Sequence, residues 1–167
     1  MTDTWKSIVN LIPYENFTQS HFLDSKFIPI LQLKPDLNMG LSENGNWVVE
    51  GKNSIYILTT PESYGRVVVL LERSIYEVSK ELKIFFANVN IDADIDLIFP
   101  FIDIVRAGLG FGTIYWAELA FKWFDELPVT RKVELKDSLE KIKGEKWISQ
   151  RLRHKVIKEL KRVAKVD

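Results

Sequence analysis

The stretch SIYILTTPESYGRVVVLLERSIYEVSKELKIFF, Ser54 to Phe86, changes its hydrophobic period partway along. Ser54 to Thr59 is a short run rich in isoleucine and tyrosine, the composition of a strand. Beyond it, Thr60 suits a helix N-cap, Pro61 fits the first helical position, and Glu62 suits the positive end of the helix dipole. Val68, Leu71, Ile75, Val78 and Leu82 then recur at steps of three and four. That is the buried stripe of one helix, roughly 25 residues long, despite Gly65 near its start. Sheet before this point and helix after it make the chain α+β.

Working backward, Leu37, Met39 and Leu41 alternate, Asn44-Gly45 follows, and then come Trp47 to Glu50 and the turn residues Gly51 to Asn53. Two turn signals between short apolar runs predict a small antiparallel meander. SKFIPILQLKPD, Ser25 to Asp36, is apolar but twice interrupted by proline, so it reads as an edge strand or an extended arm. Trp5 to Ile12 reads as a short helix ended by Pro13.

Working forward, Val89, Ile91, Ala93 and Ile95 alternate with Asn90, Asp92, Asp94 and Asp96. This predicts a strand with one wet face, or an extended acidic connection. Leu97 to Ala107 reads as helix, with Asp96, Asp103 and Arg106 on one side and Pro100 confined to the first turn. Thr113 to Leu127 is a clearer helix. Glu118, Lys122, Asp125 and Glu126 fill one narrow arc, while Trp116, Leu119, Phe121, Trp123, Phe124 and Leu127 fill most of the rest. So wide an apolar face is central to a core or is shared with a partner. Pro128 ends it, and Arg131 to Lys143 is a short amphipathic helix stopped at Gly144. In the last helix, Trp147 to Lys165, the buried stripe is Ile148, Leu152, Val156, Leu160 and Val163. Arg151, Lys155, Lys158, Arg162 and Lys165 share another face, with Trp147 and His154 among them. The expected architecture is a small N-terminal meander packed on a mostly helical body of four to five helices. It forms a single domain over 1–167, sheet-rich over 27–59 and helical over 60–167.

The totals agree. A chain of 167 residues, 46% hydrophobic and 28% charged, can bury a real core. With no cysteine, a disulfide framework, a thiolate zinc site and a cysteine nucleophile are excluded, and a cytoplasmic location is expected. The N-terminus lacks the basic start and long apolar run of a signal peptide. The most apolar region, Ile95 to Phe124, is interrupted by Asp96, Asp103, Arg106 and Glu118, so no membrane span is expected. The formal charge of zero hides a split. Residues 1–130 hold 10 Lys+Arg against 17 Asp+Glu, and residues 131–167 hold 13 against 6. Separated charge steers partners of complementary sign.

Motifs for chemistry fail on spacing. RAGLGFGTIYW, Arg106 to Trp116, sets Gly108, Gly110 and Gly112 at alternate positions, so the third glycine comes one residue too early for a dinucleotide loop. The helix that follows ends at Pro128 without a strand. The reading is a joint: Gly108 ends one helix in a left-handed conformation, Gly110 and Gly112 turn, and Thr113 caps the next helix. DADIDLIFPFID, Asp92 to Asp103, resembles an EF-hand calcium loop over twelve residues, with Asp92, Asp94 and Asp96 at positions one, three and five. It departs at Leu97, where the sharp turn needs glycine, at Pro100, and at the short Asp103 in the last position. A solvated aspartate face is the preferred reading. His21 and His154 stand in no ligand spacing, and no G-x-S-x-G elbow exists. No catalytic residue, metal ligand or cofactor is assigned.

What remains is surface. The expectation is a non-enzymatic module that binds another protein by charge and shape, using Asp92, Asp94, Asp96, Trp147, Arg151, His154, Lys155, Lys158 and Arg162. In general character it resembles bacterial immunity proteins and antitoxins, which would make the partner a toxin domain. The alternatives are a nucleic-acid-associated module using the basic last helix, and a small enzyme or ligand binder with a pocket walled by Trp116, Trp123 and Phe124. No membrane partner is expected.

Overall fold

A computed structural model describes residues 4–20, 22 and 25–165. The chain divides into two compact units, Met1–Pro100 and Phe101–Asp167. The alternating runs of the first unit become a five-stranded antiparallel sheet: β1 (Thr18–Gln19), β2 (Lys26–Lys34), β3 (Leu37–Ser42), β4 (Trp47–Gly51) and β5 (Ser54–Ile57), in that spatial order. The expected meander is its last three strands. At Asn44-Gly45, Gly45 takes φ +80° and its N–H donates to the Ser42 carbonyl at 2.9 Å. Lys52 and Asn53 alone join β4 to β5. Trp47, Val48 and Val49 are all buried, so β4 is covered on both faces and shows no wet alternation.

Ser25 to Asp36 forms the longest strand, β2. β1 pairs with it only at Lys26 and Phe27, so past Ile28 it is an edge bonded to β3 alone. An edge tolerates Pro29. The two strands approach so closely that a β-carbon on Gly40 would lie 2.0 Å from the Ile28 carbonyl oxygen. Upstream, the helix expected over Trp5 to Ile12 is α1 (Thr4–Val9), which ends in a turn ahead of Pro13, and a 3-10 turn at Tyr14–Asn16 leads into the sheet.

The single helix expected from Thr60 is two segments. A 3-10 helix spans Ser63–Glu72, Arg73 is extended, and α2 (Ile75–Asn88) begins after Ser74. Three consecutive valines, Val67 to Val69, disfavour α-helix in the first segment. Ser74 then starts a new helix. Its hydroxyl accepts from the Glu77 N–H at 3.2 Å, and the Glu77 carboxylate accepts from the Ser74 N–H at 2.9 Å. The apolar period runs through the break because 3-10 and α-helix both bring a residue to one side every three to four positions. α2 and the 3-10 helix pack on β2.

Residues 89–94 form a connection, not a strand. α2 ends through Asn90 in the left-handed region at φ 59°, and the Ile91 N–H donates back to the Phe86 carbonyl at 2.9 Å. Ile91 and Ile95 alternate with the acids because both drop into the core. α3 (Ile95–Ile98) follows, and the Trp47 indole N–H donates to the Ile98 carbonyl at 3.0 Å, with its ring edge-on to Phe99 at 5.2 Å.

The second unit holds α4 (Phe101–Leu109), α5 (Ile114–Glu126), α6 (Val129–Lys132), a 3-10 turn at Val133–Leu135, α7 (Lys136–Lys143) and α8 (Gln150–Val163). The helix expected over Leu97 to Ala107 is cut at Phe99, whose ψ of 135° is what a residue before proline adopts. Gly108 is a buried residue inside α4, and the left-handed glycine of the joint is Gly112, at φ +86°. α4 packs on α5 and α7, and α7 on α8, around Ile104, Trp123, Phe124, Leu135, Leu139 and Val156. The last helix starts at Gln150, three residues later than expected, because the Ser149 hydroxyl caps it by accepting the Leu152 N–H at 3.1 Å. The described residues therefore hold eight α-helices rather than four to five: Ser74 divides the pattern from Thr60, Pro100 that over Leu97 to Ala107, and the 3-10 turn at Val133–Leu135 that over Arg131 to Lys143. No helix among the described residues is long and apolar enough to cross a membrane.

Candidate functional site

The expected partner-binding residues fall into two sets, one in each unit. Asp92 and Asp94 lie exposed on the connection from α2 into α3, and Asp96 lies exposed in the first turn of α3. Asp94 has a structural duty: its Oδ1 accepts the Asp96 N–H at 3.1 Å and caps α3. Asp103, twelfth in the calcium-loop resemblance, is held in the second unit by Arg106, Nη1 to Oδ1 2.5 Å. No three His, Asp or Glu side chains among the described residues converge as a metal ligand set.

The second set follows α8. Arg151, Lys155, Lys158 and Arg162 recur at steps of four, three and four, so they share one face, flanked by His154 and Lys161. All six are exposed. The opposite stripe, Leu152, Val156, Leu160 and Val163, is buried and fixes which way the basic face points. Arg162 pairs with the buried Glu159, Nη1 to Oε1 2.5 Å. Lys155 Nζ stands 5.8 Å from the centroid of Phe121. Burial pushes the Asp125 carboxyl above its ordinary range, against the pull of Lys132 and Lys155. Trp147, expected among the cations of the last helix, is half-buried in the turn before it. His21 lies outside the described residues.

Sequence reasoning missed a third surface, in the glycine joint. Phe111, Ile114 and Tyr115 are 46%, 43% and 55% exposed around the half-buried Trp116. Phe111 and Tyr115 rings stand 5.8 and 4.9 Å from the Trp116 ring. Of the residues offered as walls of an aromatic pocket, Trp123 and Phe124 are 1% and 0% exposed and belong to the core, while Trp116 is half-buried at the joint. A count of aromatics around the α5 wheel gave the wide apolar face, but only the turn at Gly112 decides which of them emerge.

In the first unit an open hollow of about 390 Å³ is lined by Tyr56, Ile57, Thr60, Glu62, Ser63, Gly65 and Arg66. The Arg66 guanidinium lies 3.4 Å from the Tyr56 ring centroid. A hydrogen bond with the Ser54 side chain, and then the charge of Arg66, hold the Tyr56 phenol below its ordinary value. Nothing in the sequence patterns marks this hollow, since its lining comes from a strand, a turn and the first 3-10 residues.

Comparison with protein-family models, with curated proteins and with solved structures finds no match to this chain.

Proposed function

We propose that the chain is a non-catalytic module that binds another protein through shape and charge. The observation that supports this reading is the aromatic knuckle at Phe111, Ile114, Tyr115 and Trp116. Clustered apolar side chains kept in water mark interaction sites, and aromatic anchors in a charged rim carry most of the affinity of many interfaces. Here the anchors are already ordered. Gly112 sets the turn, the Trp116 ring touches both neighbours, and the Thr113 hydroxyl accepts the Trp116 N–H at 3.5 Å. Side chains ordered before contact lose less entropy on binding. The more specific form of the reading is an immunity- or antitoxin-type protein whose partner is a toxin domain, with the acids at Asp92, Asp94 and Asp96 facing a basic surface of that partner.

The test compares the immobilised chain with a Phe111→Ser/Tyr115→Ser variant on native lysate. The parent retains a partner that the variant loses by about tenfold or more, the effect of removing about 1.4 kcal/mol of binding, while the Tm is unchanged. Capture of the same proteins in the same amounts would sink the reading. Co-expression with the product of the neighbouring reading frame tests the toxin form: growth arrest by that product is relieved by the parent and not by the variant.

A further inference from the structure

We infer that the outer face of α8 binds the phosphate backbone of a nucleic-acid duplex, at a surface separate from the aromatic knuckle and independent of the reading above. Arg151, His154, Lys155, Lys158, Lys161 and Arg162 occupy an arc of about 120° on the helix wheel. Glu159, the one acid of this helix, is buried and lies outside the arc. Arg151 and Arg162 stand about 16 Å apart along the axis, at 1.5 Å per residue. A duplex offers one charge per about 1.7 Å of its axis, a denser row than the cations of α8.

Arg162 has a structural role in its pair with the buried Glu159, but stability does not account for the rest of the row. Lys161 and Arg162 in the last turn suit the negative end of the dipole, but Arg151 sits in a first turn that holds no acid, at the end where cations are unfavourable. Arg151 with Lys155, Lys155 with Lys158, and Lys158 with Arg162 are like-charge neighbours at helical spacing, each destabilising by a few tenths of a kcal/mol. Among the described residues no carboxylate stands within salt-bridge distance of Arg151, Lys155, Lys158 or Lys161. A polyanion relieves that repulsion.

The chemistry of the face selects among polyanions. Beyond the small ring of His154 it presents no exposed large apolar or aromatic side chain, the anchors a tight contact with an acidic protein relies on. For the same reason it offers one small ring, His154, and no row of aromatics on which successive single-stranded bases could stack. The apolar stripe of α8 is buried, so the helix has no free face to enter a lipid interface. Cations alone, evenly spaced and fixed on a rigid helix, match a regular phosphate backbone and imply binding without sequence preference.

The experiment is fluorescence anisotropy of the full chain with a labelled mixed-sequence duplex of about 20 base pairs, over a salt series from about 50 to 200 mM. With Arg151, Lys155, Lys158 and Lys161, the cations that no carboxylate engages, each neutralising one phosphate, log K falls against log salt with a slope near −3.6, about 0.9 per contact. Arg151→Gln/Lys158→Gln, with helicity unchanged by circular dichroism, makes the slope shallower by about 1.8 and weakens binding about tenfold or more near 0.1 M salt. Phe111→Ser/Tyr115→Ser binds the duplex as the parent does, so failure of one surface is distinguishable from failure of the other. Absence of duplex binding at the lowest salt overturns the inference, as does an unchanged affinity and slope in the glutamine variant. Equal or tighter binding of poly-glutamate, of a single-stranded oligonucleotide or of phosphatidylserine vesicles also overturns it.

Discussion

Asp103 illustrates how one residue balances opposing forces. Burial raises its carboxyl above the ordinary range, and Arg106, bonded to it at 2.5 Å, acts in the opposite direction without cancelling the effect. Glu134 adds to the rise, and Arg131 opposes it. The sign of the pH dependence follows. A carboxyl that is easier to protonate in the folded chain favours folding below its ordinary value near 3.8, and that contribution is lost as pH climbs through the raised value. Asp103→Asn removes the charge and keeps the shape. The Tm of the variant relative to the parent should therefore be higher at pH 7 than at about pH 3.5. Thermal melts at the two pH values check this, and an equal difference at both would show that burial does not govern the group. The spacing of Asp103 and Arg106 puts them on one side of a helix in the sequence; the burial that sets the balance of their pair depends on how α4 packs.

Legibility at the level of elements was uneven for a physical reason. The meander was readable because period-two runs and Asn44-Gly45 act locally, and the same signals close the turn at Gly45. The break between the 3-10 helix and α2 was hidden by an apolar stripe that serves both helix types. Its sequence signal was present in Ser74-Ile75-Tyr76-Glu77, the Ser-x-x-Glu of a capping box. The acids at 92–96 left a strand face and an extended connection both open, and the connection is what forms, because two isoleucines entering the core from a connection produce the same alternation as a strand. The basic face of α8 was legible because steps of three and four place side chains together whatever lies beneath them. The exposed aromatics at Phe111 and Tyr115 were not, since exposure depends on where the turn releases the chain. Caps also make a prediction at this scale. Ser149 supplies the side-chain acceptor at the start of α8, bonded at 3.1 Å to the Leu152 N–H. Ser149→Ala should cost about 1 kcal/mol of stability, measured by urea unfolding with an unchanged m-value. It should also fray the turn that carries Arg151, weakening duplex binding without altering any cation. A variant as stable as the parent would show that packing of the buried stripe alone sets where α8 begins.

For the whole molecule, charge outlasts any single contact. The chain is formally neutral, yet residues 1–130 carry a seven-charge acidic excess and residues 131–167 an equal basic one. A neutral protein with segregated charge has no net repulsion to keep copies apart, and the α8 face of one molecule can meet the acids of another. Such attraction reaches about 30 Å at 10 mM salt and about 8 Å at physiological ionic strength. The chain should therefore associate weakly near neutral pH in dilute buffer and disperse as salt rises, with the apparent hydrodynamic radius from light scattering falling over that range. Arg151→Gln/Lys158→Gln should lessen the low-salt association, because it thins the basic face that drives it. Apolar contact through Phe111 and Tyr115 predicts the reverse, since salt strengthens apolar association and leaves it insensitive to charge removal on α8. A radius that grows with salt, and that shrinks on Phe111→Ser/Tyr115→Ser substitution, would assign self-association to the knuckle and remove segregated charge as the force that organises encounters between molecules.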